Sequence, residues 1–154
     1  MFRRLFVGLL AAALMSVGAP AFAAGPTTST STEKGLVETF VDVVPSCQGG
    51  GALFTITTTS NLVAHDTIGA DGTVHSTFTQ TGTFVAVPLD PSLPSYTGKF
   101  TVWFGFNANG TVVEGTSTFN IRGTGSDGST FANHASDHFN VRPNGSVHEF
   151  FHCR

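Results

Sequence analysis

The sequence predicts an all-β fold: an antiparallel up-and-down meander of seven to eight strands closing into a small β-barrel, with a signal-peptide helix at the N-terminus. Three observations carry this expectation. From Leu36 onward Thr, Val and Phe alternate with a period of two, and no window spaces apolar residues as a helix does. Turns of one chemistry punctuate the pattern: Ala70-Asp71-Gly72, Asn109-Gly110, Asp127-Gly128 and Asn144-Gly145 each lead into Thr or Ser. In each, Asn or Asp precedes a glycine that takes positive φ without steric cost. A meander of this length also leaves two unpaired edges, and closure into a barrel removes them.

At the N-terminus, Arg3 and Arg4, an apolar run over 5–14 and Ala21-Phe22-Ala23 form the three-part layout of a secretory signal peptide, residues 1–23. Ser16, Gly18 and Pro20 interrupt the run before the roughly 20 apolar residues needed to span a bilayer. The chain is therefore expected to be secreted, with no stable membrane anchor after cleavage. Residues 24–35, AGPTTSTSTEKG, have no apolar periodicity and read as a flexible tail. Residues 36–154 then form a single β-barrel domain.

Strands are expected over 36–44, 52–68, 73–87, 98–107, 111–123, 129–142 and 146–153. Register follows from turn type, because a slip of one residue exchanges core and solvent faces. A two-residue turn at Asn109-Gly110 pairs Phe106 with Val113 and Phe100 with Phe119. Three-residue loops pair Ile68 with Val74, Ala64 with Phe78, Phe119 with Ala135, Val141 with Val147 and Asp137 with Phe151. All put apolar residues on one continuous face. Ser60 facing Gly82 marks a bend, and the prolines of 88–98 exclude a ladder there. An odd strand count is awkward for antiparallel closure, so an eighth strand, a parallel seam or an open edge must resolve it. The turns at Asn109 and Asn144 also match glycosylation sequons, although the turns demand those residues anyway.

Cys47 and Cys153 follow the first strand and end the last, at one end of the meander, and are expected to form a disulfide in an oxidising compartment. It would close a loop on the order of 100 residues, a stabilisation of about 4–5 kcal/mol in the chain-entropy account. Losing Arg3 and Arg4 with the signal moves the formal charge from −3 to −5. The remaining basic residues, Lys34, Lys99, Arg122, Arg142 and Arg154, are scattered one by one, whereas a phosphate-binding surface needs them clustered. No nucleic-acid partner is expected.

Two constellations could carry chemistry. The six histidines, His65, His75, His134, His138, His148 and His152, point away from the apolar face. His138 lies diagonal to His148 and His152, and His65 to His75, at about 7 Å. No carboxylate supports them and their spacing matches no ligand run, so they read as solvated, and no metal or cofactor is implied. Asp66, Asp137 and Glu149 fall on the apolar face, where ionised groups are costly unless hydrated or paired. Either they sit in water at the barrel ends, or they line a partly polar cavity with Ser76, Gln80, Gly115, Ser117 and Asn133. No G-x-S-x-G elbow, Walker motif or dinucleotide fingerprint is present.

Residues 93–107, LPSYTGKFTVWFGFN, and 122–141, RGTGSDGSTFANHASDHFNV, resemble small exported actinobacterial proteins of uncharacterised function. These share a T-G-x-F-T-x-W-F-G segment, a G-S-D-G turn and paired cysteines. The resemblance covers the whole mature domain and implies no catalytic residues. In layout the chain is also similar to allene oxide cyclase-type and lipocalin-type barrels, an analogy of fold alone.

The leading functional reading is a barrel that holds a small apolar ligand, its mouth near 88–98. Tyr96, Phe104, Phe106, Asp66, Asp137 and Glu149 are the candidate contacts, and Trp103 faces the other way. An enzyme of the cyclase or isomerase kind, using Asp66, Asp137 or Glu149, is the first alternative. A structural or interaction protein with a filled core and a His-rich outer face is the second.

Overall fold

Strand-forming sequence gives strands over most of residues 25–154, which the computed structural model describes; the signal-peptide segment lies outside them. Seven strands form: β1 Thr27–Val43, β2 Leu53–Ile68, β3 Val74–Pro88, β4 Tyr96–Ala108, β5 Val113–Gly125, β6 Thr130–Val141 and β7 Val147–Cys153. They make one sheet in the order β1-β2-β3-β4-β5-β6-β7, each antiparallel to its neighbour.

The sheet is not closed into a barrel, which corrects the expectation from edge satisfaction. Seven antiparallel strands leave β1 and β7 pointing the same way, and β7 has 7 residues against the 17 of β1. A parallel seam with so short a partner would pair little of the long edge. The edges are drawn together at one end only. There Cys47 and Cys153 are disulfide-bonded with Cα atoms 5.2 Å apart, and Asn133 Nδ2 donates to Pro45 O at 3.1 Å.

Residues 27–35, read from the sequence as a flexible tail, instead form the first part of β1 against the far end of β2. Without them that end of β2 would carry unpaired amides. Their Thr and Ser side chains suit a solvated edge: Thr28 Oγ1 lies 3.3 Å from Thr67 Oγ1, and Thr30 Oγ1 2.8 Å from His65 Nδ1. Lys34 and Gly35 together stand opposite Asn61, a β-bulge. Gly35 takes φ +67° there and donates its N–H to Asn61 Oδ1 at 3.0 Å.

Three hairpins have the register expected from their turns, with Ile68 opposite Val74, Phe119 opposite Ala135 and Val141 opposite Val147. Asp71 and Asp127 brace two of the loops by accepting from the N–H and hydroxyl of Thr73 and Ser129. The β4–β5 hairpin differs. Asn109 N donates to Val112 O, so the turn centres on Gly110-Thr111, with Gly110 at φ +79° in the first central position. Asn109 accepts from Thr111 and Val112 instead of sitting in the turn. The register moves by two residues: Ala108 opposes Val113, Phe106 opposes Gly115 and Phe100 opposes Ile121. Because the shift is even, every side chain keeps its face.

The core gathers at the disulfide end of the inner face. Phe54, Ile56, Phe84, Ala86 and Ile121 are buried there, with Phe40, Val44, Tyr96, Phe100 and Phe131 packed around them. Tyr96 meets Phe54 and Phe131 edge-on at centroid distances of 5.8 and 5.6 Å, the favoured geometry for aromatic quadrupoles. Glycine makes room for these rings: a Cβ at Gly98 or Gly123 would come within 3.0 Å of the Phe84 ring. Beyond the core, Gln80 Nε2 donates to Ser60 Oγ at 2.8 Å. This buried pair marks the boundary with the other, open half.

Candidate ligand-binding face

Past that boundary, cross-strand register assembles two adjacent rows on the inner face. One runs Asp66, Ser76, Phe106, Gly115, Phe139, Glu149 from β2 to β7. The other runs Ala64, Phe78, Phe104, Ser117, Asp137, Phe151. Five of the six residues expected to contact a ligand thus share one patch. Tyr96 does not; it lies in the core near the other end of β4, roughly 30 Å from Phe106 at about 3.3 Å per residue. The loop after β3 sits at that same end, so it cannot form the mouth of this patch.

The centre of the patch is aromatic. Phe78 and Phe104 lie 5.4 Å apart, and Phe104 and Phe106 stack at 6.4 Å with 18° between their planes. Gly115 leaves space for the Phe139 ring, which a Cβ there would meet at 2.5 Å. Phe104 is buried, Phe78, Phe106 and Phe139 are half-buried, and Phe151 is exposed and so no part of the core.

Carboxylates flank the rings on both sides. On β2, Asp66 accepts from Ser76 Oγ at 2.6 Å. Asp137 and Glu149 are diagonal neighbours on β6 and β7, about 7 Å apart by sheet geometry. Burial and, secondarily, the Glu149 charge push the Asp137 carboxyl above its ordinary value. Its Oδ1 is buried without a hydrogen-bond partner. Asp66 is four strands away, about 19 Å along the sheet, so the three carboxylates do not converge. Of the polar residues expected beside them, Ser76 and Ser117 line the patch, Gln80 is held by Ser60, and Asn133 lies at the disulfide end.

The outer face is polar over most of its area, with exposed Val37, Val41, Val85 and Val87 on β1 and β3 towards the disulfide end. His65, His75, His134 and His138 are each hydrogen-bonded to a Thr or Asn on a neighbouring strand. No group of three or more metal-ligating side chains comes together among the described residues. Trp103 lies on this face with its six-membered ring over Gly105, where a Cβ would meet it at 2.7 Å. The register also does what residue spacing concealed: Lys99 stands directly opposite Arg122, and Arg154 lies in the same groove. With a turn at Asn109-Gly110, Lys99 would have opposed Asn120. The hydrogen-bonding preference of Asn109 was the one signal that could have revealed the pairing.

No family model, curated protein or solved structure matches the chain.

Proposed function

We propose that the chain is an exported binding protein that holds a small, largely apolar ligand against the open half of its inner face. One observation carries the reading: Phe78, Phe104 and Phe106 make ring contacts, and Phe139 lies one strand beyond with its ring over Gly115, so aromatic side chains fill the space between Asp66 on one side and Asp137 and Glu149 on the other. Carboxylates beside aromatic faces favour a ligand that also carries a positive charge, through ion pairing and cation–π attraction. The disulfide suits an oxidising compartment. An acid–base enzyme is supported less well: Asp137 and Glu149 form a carboxylate pair, but they lie on an open face with no enclosed cavity around them to exclude water from a reacting group.

The test is titration with dodecyltrimethylammonium and with neutral N-phenyl-1-naphthylamine. The cation is expected to bind at micromolar concentration and more tightly than the neutral probe. Phe106→Ser should weaken both at least about tenfold, the order of one aromatic contact with its buried area. Asp137→Asn should remove the preference for the cation. Absence of binding by both probes, or binding unchanged in Phe106→Ser, overturns the reading.

A further inference from the structure

The outer face carries an open groove of about 810 Å³. It crosses the strands from β2 to β7, a span of about 24 Å at about 4.8 Å per strand. Two cross-strand rows make its floor, one with Thr83, Lys99 and Arg122, the other with Asn61, Thr81, Thr101, Asn120 and His134. Arg154, hydrogen-bonded through its main chain to His134 on both sides, closes the β7 end. Acidic residues outnumber basic ones ten to seven in the chain, yet no Asp or Glu lines this groove. Three of the five basic residues of the described chain are concentrated in it. Like charges directly opposite each other destabilise a sheet. The Lys99–Arg122 pair therefore costs stability that an anion lying between the two would recover.

We propose that this groove binds an acidic polysaccharide, specifically a polyuronate with one carboxylate per sugar. A linear ligand lying across the strands meets Lys99 on β4, Arg122 on β5 and Arg154 at the end of β7, with His134 between the last two. That places fixed cations on β4, on β5 and at the end of β7, with the strand spacing of about 4.8 Å close to the repeat of one sugar ring. The amides of Asn61 and Asn120 and the neighbouring Thr hydroxyls supply both donors and acceptors, as sugar hydroxyls require. Trp103 is the next outward side chain along β4 after Thr101 and is 37% exposed. Its ring lies over Gly105, on the far side from Thr101 and outside the groove lining, so it serves as a nearby fluorescent reporter and not as a contact. A nucleic acid fits less well, because three cations with no further basic residue nearby neutralise too few phosphates for stable binding.

Fluorescence polarisation of labelled hexagalacturonate, with the emission of Trp103 as a second readout, tests the assignment. Binding is expected at micromolar concentration at low ionic strength, with loss in high salt and a change in Trp103 emission. Lys99→Gln combined with Arg122→Gln should weaken it at least about tenfold, as expected for removing charged partners. Glu114→Gln, on the same face but outside the groove, should leave it unchanged. Without ligand, Lys99→Gln alone should raise Tm, because it relieves the like-charge pair. Failure of the wild type to bind, undiminished binding by the double variant, or equal affinity for neutral dextran overturns the proposal. Tighter binding of oligodeoxythymidylate overturns it in favour of a nucleic acid.

Discussion

The two ends of the inner face are built from the same strands and the same alternation, yet they pack differently. At the disulfide end Phe84, Ala86, Phe54, Ile56 and Ile121 are buried and aromatic edges interlock. At the other end Phe106 and Phe139 are half-buried, Phe151 is exposed, and carboxylates replace aliphatic side chains. The difference is one of closure. Where Cys47–Cys153 and the Asn133–Pro45 contact bring the edges together, the sheet curls onto its own side chains. Where β1 and β7 are not paired among the described residues, one face of the sheet stays open to solvent.

Breaking the closure should have the largest effect. Cys47→Ser with Cys153→Ser is expected to lower stability by about 4 kcal/mol, for a loop on the order of 100 residues. In urea unfolding, a loss below about 1 kcal/mol would mean the core holds that end unaided. Next, Phe84→Ala should cost about 3–4 kcal/mol and Phe106→Ala about 1–2, since the second ring leaves a site already open to water. Equal costs would show that the two ends are packed alike. Gly98→Ala should cost about 1–3 kcal/mol through overpacking, because its Cβ would collide with the Phe84 ring and the Arg122 carbonyl.

The smallest effect concerns the open end. Asp137 has a folded-state pKa raised above its unfolded value, so its ionisation opposes folding. That penalty is full at pH above the folded pKa and disappears as pH falls below the unfolded value. Asp137→Asn should therefore stabilise the protein at neutral pH, by less than about 1 kcal/mol for a group that is only partly buried. The advantage should vanish below about pH 4. Thermal melts across that range check it, and an advantage that grows in acid would reverse the assignment. Asp71 and Asp127 act oppositely, their pKa values lowered first by the Thr73 and Ser129 hydroxyls. Their contribution is present above the unfolded pKa and is lost as pH falls through the lowered one.

Much of this molecule was legible in the chain. Alternation assigns each side chain to a face, since successive Cβ atoms of a strand point to opposite sides. Asp71-Gly72, Asp127-Gly128 and Asn144-Gly145 specify their hairpins because turn geometry is decided within a few residues. The bonded cysteines follow from strand direction. The candidate patch was half legible: its residues were on the expected face, but distance along a strand separates Tyr96 from the rest. Residues 27–35 have no apolar signal and become a strand only because β2 offers them an unpaired ladder.

The sequence by itself thus determined strands, faces and most registers, all of which depend on local geometry. Tertiary structure alone decided that the sheet stays open and that Lys99, Arg122 and Arg154 meet. Closure depends on whether two edges far apart in the chain can pair, and the odd strand number sets them parallel and unequal in length. The meeting of the basic residues depends on a two-residue register shift at Gly110 that leaves every face unchanged. Such a shift is invisible to periodicity, yet it selects which side chains become neighbours across the sheet.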